Sequence, residues 1–436
     1  MLALLIRIKN ILTKENLCVF SAALLVVSMI YSPFLLSVAM WGLVFVALWQ
    51  AADRAVAEGR ASSLKTWRAW GQGLLGGFRR LGRQPALYLF ALLLIWPALS
   101  FFWSEDQGYW LSRVRVRIPF LVLPWAFANL PRLSDRQYCG LLYLLVWALV
   151  FTCLGIALHY SANEEEILVG LARGQPIPVP RSHIRFNLVL ATGIVAGVWL
   201  WARGFVLRYV WERKALACAV VLLFGFIHFL SVRSGLAALY AALLFSAGYV
   251  VVVQRRWWLG AVLLLFLTAA PVIAFYNSPS LYTRISYMFY DWGQYQKSAG
   301  SDYSDAGRWV SLEVGLQLWR EHPLLGTGIG DLPAETRRVV QVRFPNYVSD
   351  PKLPHNQFLY LLAGLGLIGL LTSLMALLAP FAERQTRSFY LFCAFQVIVF
   401  VSFLVEYTLE TSIGAAFYLF YTLWFREMGK VMMNDE

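Results

Sequence analysis

The chain has 436 residues, 59 % of them apolar and only 14 % charged, against roughly half and a quarter in ordinary globular proteins. Its 18 Trp, 21 Tyr and 30 Phe form an aromatic load suited to membrane interfaces; a disordered chain, a disulfide-rich secreted scaffold and a nucleic-acid domain are excluded, which leaves an all-α, polytopic membrane protein. The 37 Lys and Arg against 24 Asp and Glu, a net charge of +13, then read first as basic loops on the cytoplasmic face of a membrane.

A spanning helix needs about 20 mostly apolar residues. Taken along the chain, such segments are expected at Leu17–Tyr31, Pro33–Trp49, Pro85–Trp103, Ile118–Leu130, Cys139–Tyr160, Ile184–Ala202, Ala215–Val232, Gly235–Val253, Trp257–Tyr276, His355–Ala379, Phe389–Val405 and Thr411–Phe425. That makes about twelve spans. The fourth is the weakest, being short and carrying Pro119 and Pro124. Leu17–Tyr31 lacks a small-residue cleavage site and runs into another apolar stretch, so it is read as retained. Residues 1–436 are expected to form one transmembrane unit, with residues 277–354 as a large loop between the ninth and tenth spans. Cys18, Cys139, Cys153, Cys218 and Cys393 show neither disulfide nor metal spacing and read as packing residues.

Arg54, Arg60, Lys65, Arg68, Arg79, Arg80 and Arg83 crowd one short loop, which the topology rule places in the cytoplasm; alternation then puts both termini there. Arg113, Arg115, Arg117, Arg173, Arg181, Arg185 and Arg233 fall in short outer loops or at helix mouths, where the same rule disfavours them. Guanidinium groups gathered there suit a phosphate-bearing ligand, held in a bidentate fork, or lipid headgroups. No Asp, Glu, Lys or Arg lies near the centre of any span, whereas ion-coupled transporters usually keep ionisable residues at the midplane. The chemistry therefore belongs at the outer boundary.

Residues 277–354 are too many for a passive connection. Within Ser280–Tyr295, Tyr282, Ile285, Phe289 and Trp292 recur at helical spacing, as in a helix lying on the interface. Trp309, Leu312, Leu316 and Trp319 do the same within Asp305–Glu321. The run from His322 to Gly330, HPLLGTGIG, then reads as a tight turn; without a preceding strand its glycines are not a dinucleotide fingerprint. Glu164, Glu165 and Glu166 read as a solvated run, Arg337 and Arg338 as a solvated helix face, and Asp302 and Asp305 have no second cluster to make a metal site. His159, His183, His228 and His322 show no ligand spacing.

His355 follows Pro351 and Pro354 and opens the tenth span. The positive end of a helix dipole disfavours a cationic side chain, and a neutral imidazole is what a general base requires; the plainer role is a polar cap. Arg185 and Arg233 also sit at expected helix starts, beside Ser182 and Ser234 as N-caps. A cation there opposes the dipole unless an anion joins it; a snorkelling surface Arg is the other reading. Arg308 is similar. Glu406 and Glu410 are four apart at a short outer turn and suit either orientation of a substrate hydroxyl or pairing with an outer Arg.

From Arg308 to Leu370, the HPLLGTGIG turn followed by LPHNQFLYLLAGLGLIGL resembles the signature region of the O-antigen ligase and O-antigen polymerase superfamily. RSHIRF at Arg181–Phe186, VRSG at Val232–Gly235 and LETSIGAAF at Leu409–Phe417 also look like pieces of it. The resemblance implies a GT-C-like glycosyltransferase fold in the bacterial inner membrane, with the active site facing the periplasm under a large loop. It implies transfer of a glycan from undecaprenyl diphosphate to lipid A–core oligosaccharide, without metal or cofactor and with inversion. By position, the family's His corresponds to His355 as general base, and Arg233, Arg308 and Arg185 correspond to its diphosphate-binding Arg. An acceptor that is itself a lipid-linked repeat would make the chain a polymerase, and a protein acceptor is a third option. A lipid-linked oligosaccharide flippase would also need Arg, but would be expected to carry charge through its cavity. A scaffold would not need the large, motif-bearing loop.

Overall fold

The computed structural model describes residues 13–434 except 65, 173–174, 346, 348–349 and, between 278 and 305, all but 282, 285, 286, 289, 290 and 293. Among the described residues the chain is helical, without a strand. The first half contains α1 (Lys14–Tyr31), α2 (Pro33–Ala57), α3 (Trp67–Gly82), α4 (Leu92–Leu99), α5 (Gln107–Arg117), α6 (Pro119–Phe127) and α7 (Asp135–Ala162). Then come α8 (His183–Ala202), α9 (Trp211–Leu230), α10 (Arg233–Val252), α11 (Trp257–Asn277), α12 (Ala306–Glu321) and α13 (Leu332–Arg343). α14 (Gln357–Leu378), α15 (Tyr390–Val405) and α16 (Ser412–Asn434) complete the bundle.

Local sequence sets several of these boundaries. Ser32 is the one residue between α1 and α2. Its N–H closes α1 on Ser28, its hydroxyl accepts from Leu35 N, and Pro33 starts α2 where no amide is needed. Ser134 and Gln137 form a reciprocal capping box that opens α7. Asn356 caps α14, its side chain accepting from Leu359 N at 3.0 Å.

Each apolar segment expected from hydropathy is helical. Among the described residues eight meet both the length and the apolarity needed to cross a membrane: Lys14–Tyr31, Pro33–Ala57, Pro85–Trp103, Asp135–Ala162, His183–Ala202, Trp211–Leu230, Arg233–Val252 and Gln357–Ala382. α15 and the apolar part of α11, Trp257–Ile273, are shorter, and α6 has only nine residues. α16 is long but ends in polar residues. It can carry them because its flank faces protein, with Tyr418, Tyr421, Trp424 and Arg426 all buried. The chain is thus an all-helical, multi-pass membrane protein.

Polar contacts separate into the two ends of the bundle. At one end Arg181 binds Tyr31 O, Arg185 binds Thr411, Arg117 binds Glu410 and His355 meets Glu406. At the other, Lys14 pairs with Asp53, Arg203 with Asp135, and Arg426 with Glu383 and Gln84. Between them the α15–α16 cross-link is neutral, Gln396 donating to Thr422 Oγ1 at 3.0 Å.

The expected interfacial helix of Ser280–Tyr295 lies mostly outside the described residues, as do Asp302 and Asp305. α12 forms as expected, but its buried stripe is Val310, Val314 and Leu318, while Trp309 is 43 % exposed. The apolar side chains of α12 occupy more than one face, and the face that buries is the one α13 and α14 cover. Residues 310–344 build a second core there with Ile329, Leu332, Val339 and the first half of α14. Glu164, Glu165 and Glu166 are exposed, and Arg338 pairs with Glu335 and Glu321 on an exposed face. Cys218 is exposed rather than packed.

The HPLLGTGIG segment does more than turn. α14 breaks at Gly366, whose φ is 68° and ψ −171°, a region essentially reserved for glycine. The carbonyls freed by the break accept from Thr327 N (onto Ala363 O, 2.9 Å), Gly328 N (onto Gly364 O, 3.1 Å) and Trp96 Nε1 (onto Leu365 O, 3.3 Å). Beyond it, Leu367 N and Ile368 N donate to Pro323 O and Leu324 O at 2.9 and 3.3 Å. A Cβ on Gly366 would stand 2.1 Å from Leu324 O; one on Gly364 meets nothing closer than 3.5 Å. Gly366→Ala is therefore expected to cost about 3 kcal/mol and to lower the thermal unfolding midpoint in detergent by about 5 °C or more. Gly364→Ala should shift the same midpoint by less than about 2 °C.

Candidate functional site

α14, α15 and α16 bring their polar ends together at one point. His355 stands two residues before α14, outside the helix rather than opening it, because Asn356 supplies the cap. Its backbone N–H donates to Ser311 Oγ at 3.2 Å, and Ser311 in turn donates to Arg308 O at 2.7 Å. The start of α14 is thus tied to the first turn of α12. The imidazole Nδ1 lies 3.3 Å from Glu406 Oε1, with the two side chains 15 % and 8 % exposed. A carboxylate can only accept, so Nδ1 carries the proton and Nε2 is the nitrogen left for chemistry. The Tyr407 ring lies 5.5 Å from the imidazole and stacks on Tyr360 at 5.6 Å.

The electrostatics gather the Arg residues around the same carboxylate. Burial works to raise the Glu406 pKa. The hydrogen bond from His355 and nearby positive charges, Arg185 and Arg308 among them, outweigh it, leaving the group below its ordinary value of 4.5. Arg185 is fixed by bonds from Nε to Thr411 Oγ1 (2.9 Å) and from Nη1 to Ser182 Oγ (3.0 Å). Arg233 is the first residue of α10. Two residues on, a Cβ at Gly235 would stand 2.4 Å from Asn187 Cβ, so the starts of α10 and α8 are pressed together. The structure thus brings His355, Arg185 and Arg308 to Glu406, with Arg233 on the adjoining helix start.

The expected N-caps differ. Ser182 is the N-cap of α8, but its hydroxyl makes no capping bond and instead accepts from Arg185. Ser234 lies inside α10, whose N-cap is Val232, again without a side-chain cap. Both helix starts therefore lack the side-chain acceptor that usually satisfies a first-turn amide. A Ser placed next to the helix start suggested a cap because spacing alone cannot show which partner its hydroxyl takes.

Glu410 and Glu406, alike in sequence, have different roles. Glu410 Oε1 accepts from Arg117 Nη2 at 2.5 Å and from Gln357 Nε2 at 3.1 Å, with both charged side chains at most 3 % exposed. Gln357 Oε1 accepts from Leu409 N (2.8 Å), and Arg113 Nη1 donates to Glu410 O (3.0 Å). Arg117 and Arg113 thus hold the 406–411 turn, and Arg181 binds the Tyr31 carbonyl. Arg115 is exposed and Arg173 lies outside the described residues. Among the described outer Arg residues, Arg113, Arg117 and Arg181 are engaged by Glu410 or a backbone carbonyl, while Arg185 and Arg233 lie at the starts of α8 and α10. Sequence reasoning missed the pairing of Glu406 with His355, and with it Ser311, Gln357, Tyr407 and Thr411. Among the described residues no three His, Cys, Asp or Glu side chains converge as a metal-binding group.

The site is thus a carboxylate-oriented imidazole near guanidinium groups at one end of an apolar helical bundle, in a multi-pass membrane protein. Residues 218–374 match the family model described as O-antigen ligase, so this stretch of the chain is similar to the O-antigen ligase superfamily, whose members are glycosyltransferase-like ligases and polymerases. The matched stretch runs from α9 through the broken α14 and includes Arg233, Arg308 and His355. No curated protein matches the chain.

Two outcomes follow from this geometry. Glu410→Ala leaves Arg117 as an unpaired buried charge, at a cost of about 3–5 kcal/mol, readable as a lower unfolding midpoint and loss of the ordered 406–411 turn to proteolysis. Because the Glu406 pKa is lowered in the folded state, the stability it contributes is fully present above its ordinary value of 4.5. That contribution is lost as pH falls through the lowered value. Glu406→Gln should therefore flatten the acid limb of the stability–pH curve between pH 4.5 and that lowered value.

Proposed function

We propose that the chain is an O-antigen ligase, moving a glycan from undecaprenyl diphosphate to lipid A–core oligosaccharide at the periplasmic face of the inner membrane, with both termini in the cytoplasm. The observation that carries this reading is the His355–Glu406 pair with Arg185 and Arg308 acting on the same carboxylate. An acceptor sugar hydroxyl attacks the anomeric carbon of the lipid-linked glycan, and the bond from that carbon to the diphosphate oxygen breaks. His355 Nε2 takes the hydroxyl proton as general base, while Glu406 holds Nδ1–H and the ring orientation. The leaving diphosphate keeps the bonding electrons. Arg185, Arg233 and Arg308 hold it together with the amides at the starts of α8 and α10, which stabilises the developing charge. Diphosphate is a good leaving group, so no strong acid is needed. One base with no second nucleophilic carboxylate gives a single displacement with inversion.

Support for an extracytoplasmic site comes from the basic loop between α2 and the Pro85–Trp103 span, which lies at the end of the bundle away from His355. The absence, among the described residues, of charged cross-links in the middle of the bundle, where α15 and α16 meet through Gln396 and Thr422, favours chemistry at the boundary over passage of an anion through the protein.

The test is transfer by the purified protein, offered a polyprenyl-diphosphate-linked glycan with lipid A–core, a second lipid-linked repeat, or a peptide acceptor in turn. Product on lipid A–core is expected; product on the lipid-linked repeat alone would make the protein a polymerase. His355→Ala should lower the rate by about 100- to 10,000-fold with insertion and folding intact, and full activity of that variant would overturn the assignment. Arg185→Ala and Arg308→Ala should each cost about 100-fold or more in kcat/KM.

A further inference from the structure

The end of the bundle opposite His355 holds a cavity of about 540 Å³. Its walls come from α1 at Cys18, from Phe127 at the end of α6 and Arg132 beyond it, from α7 at Tyr138, and from α16 at Trp424, Glu427 and Lys430. The polar groups there do not balance. Arg132 makes no hydrogen bond or ion pair among the described residues. Lys430 lies 3.5 and 3.7 Å from Glu383 and Glu427, but the buried Arg426 already engages both carboxylates. Next to this wall Arg60 and Arg80 share one carboxylate, Glu58, and the like charges of Arg80 and Arg132 both act on Arg54. The indole N–H of Trp424, a side chain 1 % exposed that lines the cavity, donates to nothing among the described residues. A buried N–H without an acceptor costs about 1–3 kcal/mol.

An anion in the cavity would supply the missing negative charge and an acceptor for Trp424 at once. Which anion is set by the surroundings. α3, on the same end, turns Trp67, Leu75 and Phe78 outward at 79 %, 58 % and 45 % exposure, with Arg68 over the Trp67 ring at 6.0 Å. A helix with that face lies in the headgroup layer, so the cavity opens at headgroup depth, where basic pockets between helices take anionic lipid heads. The apolar part of its wall, Cys18 and Phe127, suits the glycerol and first methylenes of such a lipid. We infer that this cavity binds the phosphate of an anionic phospholipid, with Arg132 and Lys430 pairing with the phosphate and the Trp424 indole donating to one of its oxygens.

The site is independent of the reaction proposed for the His355 end. It is tested on the full chain, delipidated in a neutral detergent and offered equal amounts of phosphatidylglycerol and phosphatidylcholine, with bound lipid counted by native mass spectrometry. Retention of phosphatidylglycerol in preference by about tenfold is expected. Arg132→Gln combined with Lys430→Gln should abolish the preference. Arg132→Lys, which keeps the charge at an exposed position, should retain it and show that loss in the double variant comes from charge rather than misfolding. Equal retention of the two lipids by the parent protein, or an unchanged preference in the double variant, would overturn the proposal. Displacement of phosphatidylglycerol by millimolar inorganic phosphate would assign the site to a free anion and overturn the lipid.

Discussion

In an apolar medium every backbone N–H and C=O must find a partner inside the protein, because water is not there to supply one. α14 violates helical continuity at Gly366, and the 323–328 turn repairs the violation bond by bond. Five backbone groups around the break find partners in that turn and in Trp96. The repair fixes the large loop to the bundle at a defined height. α12 and α13 then pack on the half of α14 that precedes the break, and this puts Ser311 under the His355 amide and brings the charge of Arg308 to act on Glu406. The glycines of the turn are there because backbone meets backbone: a Cβ on Gly326 would stand 2.4 Å from Leu365 N. A chain that could not close this break could not assemble the polar cluster above it.

The second constraint is the cost of charge in a dry interior. Burying Arg117 and Glu410 sacrifices hydration that their mutual attraction recovers only with good geometry and further hydrogen bonds. Gln357 gives the carboxylate a second bond, and Arg113 holds the Glu410 carbonyl. What the arrangement secures is the 406–411 turn. Within six residues that turn presents Glu406 and Tyr407 to His355 and Thr411 to Arg185. A buried pair used in this way contributes placement more than net stability, which is why two carboxylates four residues apart have such different surroundings.

Much of the bundle was legible in the sequence because hydropathy is a bulk property. Each apolar segment became a helix, and His355, Arg185, Arg233 and Arg308 were legible as polar groups at helix mouths. Partner choice was not legible, since it depends on elements far apart in the chain: Glu406 is 51 residues from His355, and nothing local shows whether its partner is an Arg, a hydroxyl or an imidazole. The face of α12 was misread because Trp309 and Val310 are both apolar neighbours, and only the position of α14 decides which is covered. The break at Gly366 was hidden for the same reason. AGLGLIG reads as continuous helix until the carbonyls of a distant turn are known to enter it.

α8 and α10 carry an energetic debt that bears on what the site receives. Each starts without a side-chain cap, and each has an Arg in its first turn. A missing cap forgoes about 1 kcal/mol, and a cation at a helix N-terminus opposes the dipole by about 0.3–1 kcal/mol. The two starts are also forced together where Gly235 meets Asn187. A fold selected for stability alone would place Asp or Glu at these positions. Guanidinium groups and first-turn amides at these starts instead suit an anion. In the proposed reaction that anion is the diphosphate, whose charge rises as the glycan leaves, so the arrangement that weakens the resting helices stabilises the transition state most.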